Sequence, residues 1–301
     1  MVARRIAKSA FITTLKALSR PLYGFFRVKQ FFWPDSKTTI LVYHKISDLT
    51  EGLDAFWNVP PSLFARHMAY ISQGGHTVLS LQAFYDHLRQ RREPPPRTVV
   101  ITFDDGYASV YRHGFPLLKR YGFPATIFLA AQYAGNGSHF WWDEPVASQH
   151  PDLGEDVRLL SWGEIEEMQA SGLITFGSHS MTHPHLGQLP RTAIEFELEH
   201  SKKVLEENLK RPVTFFAYPF GMKSYGDINE ETTELLVEKG YILACTSEMG
   251  RNGLDENIYL LKRMGIGRED SLDLFRAKLM GGCDWLGTAQ KAFQRIFKNV
   301  C

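Results

Sequence analysis

From Thr39 onward, short apolar runs alternate with longer stretches in which apolar residues recur every three or four positions. The runs at Thr39–Tyr43, Val78–Ser80, Thr98–Phe103, Ala125–Leu129, Ile174–Gly177, Thr214–Tyr218 and Ile242–Ala244 are β-branched or aromatic and too short for helices, so they predict strands. Between them, Ser62–Gln73, Leu81–Arg91, Phe115–Tyr121, Ser161–Ser171, Arg191–Leu209 and Glu230–Lys239 carry helical spacing. Ser161 with Glu164 three residues on is a capping-box signature for the fourth of these helices. Strand and helix in strict alternation predict an α/β fold with a parallel sheet, either open or closed into a barrel.

The two ends break this rhythm. Phe11, Leu15, Leu18, Leu22, Phe25 and Phe26 form one helical stripe, with a restart at Pro21, and Lys16 interrupts the only run that resembles a secretory signal. Residues 1–34 hold seven basic residues and no acidic one, which predicts a basic amphipathic arm that lies on an anionic membrane surface or packs on the protein's own core. At the other end Ala289, Phe293, Ile296, Phe297 and Val300 predict a second amphipathic helix within a tail spanning 271–301. The intervening chain divides into residues 35–97, the N-terminal part of the barrel, and residues 98–270, the core.

Composition narrows the function classes. With 34 Lys and Arg against 33 Asp and Glu, the chain lacks the strongly basic balance expected of a nucleic-acid binder, and no nucleic-acid partner is expected. No apolar run reaches the roughly 20 residues of a membrane-spanning helix. Three scattered cysteines make no disulfide framework, so a reducing, cytoplasmic location at the periphery of a membrane is expected.

In parallel α/β folds the reactive groups lie just beyond the carboxyl ends of strands. There the sequence places His44, then Asp104-Asp105-Gly106, then His179-Ser180-Met181-Thr182-His183, then Pro219-Phe220-Gly221. Two histidines four apart with a carboxylate from another strand suit a divalent ion, Zn²⁺ before others, with a coordination position left for water. Asp105, His179 and His183 are the expected ligands. Neighbouring side chains on an extended segment point apart, which leaves Asp104 off the metal as the general base.

The segments Thr102-Phe103-Asp104-Asp105-Gly106, His179-Ser180-x-x-His183 and Phe216-Ala217-Tyr218-Pro219-Phe220-Gly221 resemble the first three motifs of the polysaccharide deacetylase family, the NodB-homology domain of carbohydrate esterase family 4. The resemblance runs in order from about Thr98 to Gly267. It implies a distorted (β/α) barrel of NodB type, here with N- and C-terminal amphipathic helices, that removes an acetyl group from an N-acetylated sugar. It also implies that Asp104 is the base, that Asp105, His179 and His183 hold the metal, and that the Phe220 backbone N–H stabilises the oxyanion. Two departures stand out. The third motif lacks its usual Arg before the Pro, and no late histidine follows Gly187 except His200, in a predicted helix. Both point to the biofilm-polysaccharide deacetylase branch, which Leu41-Val42-Tyr43-His44 and Leu261-Lys262-Arg263-Met264 also resemble. There Arg263 orients the base and His44 serves as general acid.

Tyr218 and Phe220 of the third motif are assigned to substrate binding, together with Trp141 and Trp142 of the Phe140-Trp141-Trp142-Asp143 cluster, whose faces suit stacking on a sugar, the alternative being that the two Trp pack as a hydrophobic plug. The expected partner is an N-acetylated glycan, as surface polysaccharide or lipid-linked precursor. Two alternatives stay open on sequence alone: a metal-free glycan-binding scaffold, and a hydrolase of a small non-sugar amide.

Overall fold

A computed structural model of the chain describes residues 21, 23–28, 36–52, 55–149, 151–285 and 287. Ten short strands are present among them: β1 Thr39–Tyr43, β2 Lys45–Ile46, β3 Asn58–Val59, β4 Thr77–Val78, β5 Thr98–Phe103, β6 Ala125–Leu129, β7 Ile174–Ser178, β8 Phe215–Ala217, β9 Leu243–Cys245 and β10 Met264–Gly265. Eight belong to one sheet in the order β10-β1-β5-β6-β7-β8-β9, with β4 beside β5, and every pairing within it is parallel.

The curled sheet closes through a seam. Cys245 of β9 bridges Leu261, and three residues later Met264 pairs with Leu41 of β1, so residues 261–265 join the two edges of the sheet. The result is the distorted (β/α) barrel expected from the sequence, with helices packed around it.

Alternation along the strands sorts side chains into two cores. Ile40, Val100, Phe128, Phe215, Ala217, Cys245 and Leu261 pack on the inner face, with Leu81, Phe84 and Leu88 of the helix Leu81–Arg89. Their neighbours Leu41, Tyr43, Ile101, Phe103, Ile127, Phe216 and Tyr218 belong to the outer core, under the surrounding helices. Gly177 is required where it stands, because a Cβ there would come within 2.7 Å of the Phe128 ring that fills the interior.

Several boundaries differ from the sequence expectation by a residue or two. Ser80, expected in a strand, instead caps the helix Leu81–Arg89 by accepting the Ala83 N–H, and Ser161 with Glu164 makes the full capping box. The Gly-rich insertion before Leu160 contains two helices, Glu144–Gln149 and Pro151–Val157, which the sequence pattern did not predict. Most of the basic arm and all of the final amphipathic stripe lie outside the described residues. Residues 23–28 are helical, and Tyr23 packs against the core while Phe25 and Val28 are exposed. No helix among the described residues is long and apolar enough to cross a membrane.

Candidate active site

Period-two alternation carries three chemically active side chains to one end of the barrel. Asp104 follows Val100 and Thr102 on the inner face, Arg263 follows Leu261, and His44 follows Ile40 and Val42. Asp104 and Arg263 meet there, buried, as a bidentate pair with Nη1 to Oδ1 at 2.6 Å and Nη2 to Oδ2 at 2.7 Å. The guanidinium is itself fixed by donating from Nε to the Thr246 carbonyl at 2.8 Å and from Nη1 toward Thr102 Oγ1 at 3.4 Å. Burial alone would raise the Asp104 pKa, but the Arg263 guanidinium and His179 outweigh it and hold the carboxyl below its ordinary value. Asp104 is therefore ionised at neutral pH, and Arg263 fixes its plane.

Asp105 leaves the strand direction at once. Its backbone is left-handed, φ 73°, as is that of Gly106 at φ 83°, where a Cβ would lie 2.5 Å from Leu129 Cδ2. This turn sends the Asp105 carboxylate toward the histidine loop, away from Asp104. Ser180, His183 and Phe220 are left-handed as well, so four of the seven non-glycine residues with positive φ among the described residues belong to this site. Such conformations cost free energy and persist where the surroundings over-determine them.

Asp105, His179 and His183 each offer one ligand atom, all within 4.8 Å of one another. His183 Nε2 is 3.2 Å and His179 Nε2 3.6 Å from Asp105 Oδ1. His179 Nδ1 lies 2.8 Å from the Ala217 carbonyl; a carbonyl only accepts, so Nδ1 carries the proton and Nε2 presents its lone pair. Burial lowers the His179 pKa to about 4, which keeps the ring neutral near pH 7. Asp105 Oδ1 is buried and takes no hydrogen bond of good geometry despite both rings beside it. An anionic oxygen and two imidazole nitrogens converging from separate segments fit a divalent cation, and their N/O character suits Zn²⁺.

His44 occupies the same mouth, close enough for its charge to depress both Asp104 and Asp105. Its ring stacks on Trp57 at 4.8 Å, and its Nδ1 is buried without a hydrogen-bond partner. Trp57 was not singled out in the sequence, because Phe56-Trp57 stands in a polar loop without periodicity; the flanking Pro60-Pro61 was the only local signal.

The aromatic residues separate. Trp142 lies flat on Phe140 at 4.2 Å, donates its indole N–H to the Tyr107 hydroxyl at 3.3 Å, and sits 5.5 Å from the His183 ring. Asp143 beside it accepts from Lys45 Nζ and Tyr107 Oη, both at 2.7 Å, which ties the cluster to the segments that follow His44 and Asp104. Trp141 is 72% exposed and edges Trp142. Phe220 is 43% exposed, stacked at 3.7 Å on His185 and 5.0 Å from His183. Its exposure and position keep it at the site.

Tyr218 does not remain there, and its assignment to substrate is corrected. It has the parity of Phe216, on the outer face, where it is fully buried and its hydroxyl donates to the Tyr259 carbonyl at 3.2 Å. His185, two residues beyond His183, stays outside the ligand set, its Nδ1 3.1 Å from the buried Asp227 carboxylate.

The family model for polysaccharide deacetylase matches residues 91–244. The putative polysaccharide deacetylase YxkH of Bacillus subtilis (strain 168) is 29% identical over 231 residues, covering 77% of this chain and 72% of that protein. The poly-beta-1,6-N-acetyl-D-glucosamine N-deacetylase of Staphylococcus aureus (strain MRSA252) is 25% identical over 216 residues, 69% of this chain and 67% of its own length. Among solved structures, the Streptococcus pyogenes deacetylase PplD in complex with acetate superposes with a TM-score of 0.66 at 24% identity, over 82% of this chain and 99% of that one, a likeness of fold.

Proposed function

Because this chain belongs to the polysaccharide deacetylase family, we propose that it hydrolyses the acetamido group of an N-acetylhexosamine unit in a surface polysaccharide or its lipid-linked precursor, with the help of a divalent metal. The observation that carries the proposal is the meeting, at one end of the barrel, of an ionised Asp104 clamped by Arg263 with the convergent set Asp105, His179 and His183. A binding scaffold needs no such pair of constellations.

Asp105, His179 and His183 would hold the ion, which when bound supplies Lewis acidity for an acyl oxygen and a ligating water. Asp104 takes a proton from the attacking water while the water oxygen adds to the acetyl carbon. The Phe220 backbone N–H faces the oxygen on which negative charge develops. His44 then donates a proton to the sugar nitrogen as the C–N bond breaks, leaving acetate and a free amine. Phe220 and Trp142 flank the His183 side of the mouth and suit the apolar faces of a pyranose.

The test is acetate release from soluble oligomers of N-acetylglucosamine. Turnover should stop after chelation and return on addition of Zn²⁺ or another divalent ion, with about one ion bound per chain at saturation. A protein that binds no divalent ion and releases no acetate would instead be the scaffold.

The proposed location is the periphery of an anionic membrane, supported by the basic residues before Asp35 and by the exposed Phe25 and Val28. Replacing Arg4, Arg5 and Lys8 together with Glu should abolish sedimentation with phosphatidylglycerol vesicles and leave turnover of soluble oligomers unchanged. Undiminished sedimentation would remove the membrane role of the arm.

A further inference from the structure

The helix Arg191–Leu209 buries a glutamate in the middle of its inner face. Glu197 shares that face with Ile194, Leu198, Ser201 and Leu205, and is 5% exposed. Nothing in the reaction outlined above uses it. A carboxyl group at such a depth is costly unless its oxygens are satisfied, so its partners identify its task.

Those partners all lie in the loop between the two metal-site histidines. Glu197 Oε2 accepts the backbone N–H groups of Met181 and Thr182, each at 2.8 Å, and Oε1 accepts the Thr182 hydroxyl at 2.7 Å. Consecutive backbone N–H groups aimed at one oxygen form a concavity suited to an anion, which this chain fills from its own helix. One turn further along, Ser201 Oγ lies 2.8 Å from Ser178 Oγ, at the end of the strand that leads into His179. The helix therefore grips the segment on both sides of its first histidine. The Ser180 and Met181 carbonyls accept from the Ala131 and Gln132 N–H groups at 3.0 and 2.9 Å, and Ser180 Oγ accepts the His183 N–H at 3.0 Å, but the consecutive Met181 and Thr182 N–H groups, between residues left-handed at φ 66° (Ser180) and 62° (His183), are held by Glu197.

We propose that Glu197 is a positioning residue for metal binding, holding the Met181-Thr182 backbone so that His183 meets Asp105 and His179 in the unloaded protein. The inference rests on the metal reading of the Asp105, His179 and His183 set. Its energetic basis is preorganisation: a loop ordered before the ion arrives loses less conformational freedom when it binds. A neutral Gln offers one acceptor oxygen where the carboxylate offers two, and turns an N–H₂ toward donors.

Two measurements on Glu197→Gln decide the proposal. In the metal-free full-length protein, hydrogen exchange at the Met181 and Thr182 amides should be protected in wild type and accelerate in the variant. The Kd for Zn²⁺, from competition with a chromogenic chelator, should rise about 10- to 100-fold, the range found when partners of metal ligands are removed. Turnover of soluble oligomers should recover its wild-type kcat at saturating Zn²⁺ with KM unchanged, an outcome that general unfolding would not give. Should Glu197→Gln fail to fold, Thr182→Val removes only the hydroxyl bond and should weaken Zn²⁺ binding several-fold. Unchanged Zn²⁺ affinity in a variant whose Met181 and Thr182 amides have lost protection overturns the proposal, as does the absence of protection in wild type. A wild-type chain that binds no Zn²⁺ removes the metal reading instead, while exchange at the two amides still reports whether the grip exists.

Discussion

Replacing Asp104 with Asn should lower acetate release from N-acetylglucosamine oligomers by about 10²- to 10⁴-fold, the usual contribution of a positioned general base. The substitution keeps the size of the side chain and one acceptor for Arg263, but its amide cannot take up the proton of the attacking water. Bound metal should stay near wild-type stoichiometry, because Asp105, His179 and His183 are untouched and Asp104 Oδ2 stands 3.9 Å from His179 Nε2. Loss of metal together with activity would move Asp104 into the ligand set. Undiminished turnover with full metal content would sink its assignment as base.

Arg263→Met should be the most damaging change to stability, costing about 3–5 kcal/mol, the range for breaking a buried ion pair by removing one partner. The reason is the carboxylate left behind. In wild type the Asp104 pKa is depressed, so the folded state binds fewer protons than the unfolded state near the unfolded value of about 3.9. The pair's contribution is then fully present above that value and is lost as pH falls through the lower folded pKa. Without the guanidinium, burial prevails and the folded pKa moves above the unfolded one, which reverses the sign. Denaturant titrations should show the variant gaining stability on acidification from pH 7, where wild type does not. The acid limb of its residual activity should move to higher pH. Asp104→Asn combined with Arg263→Met should be more stable than the sum of the two single losses, since neither buried charge remains unpaired. Simple additivity in that cycle would show that the two groups do not depend on each other.

Much of this site was legible because strands have a period of two. Given the runs at 39–43 and 98–103, His44 and Asp104 extend the inner faces of their strands, and the motifs around Asp105, His179 and His183 supplied the rest. The same period counted against Tyr218, whose parity with Phe216 places it beneath the helices; its place in a recognisable motif was the wrong guide. Arg263 was inferred from a missing arginine elsewhere, and the seam explains how a residue so late in the chain reaches Asp104. Glu197 escaped notice because a glutamate in an amphipathic helix reads as solvent-facing. Only its register with Ile194, Leu198 and Ser201 marks it as inward, and only tertiary structure shows the backbone donors it meets.

The seam also sets an order of events during synthesis. Residues 44 through 183, which carry the proposed acid, base and metal ligands, emerge long before the segment 261–265 that pairs with both β9 and β1. Contacts of such sequence separation form late, since closing a long loop must precede them. Until then Asp104 has no buried counter-charge, and burying it would oppose folding. Assembly of the ring and arming of the base are thus a single cooperative step. A nascent or truncated chain that stops short of Arg263 would carry the chemical groups of a deacetylase without a working one.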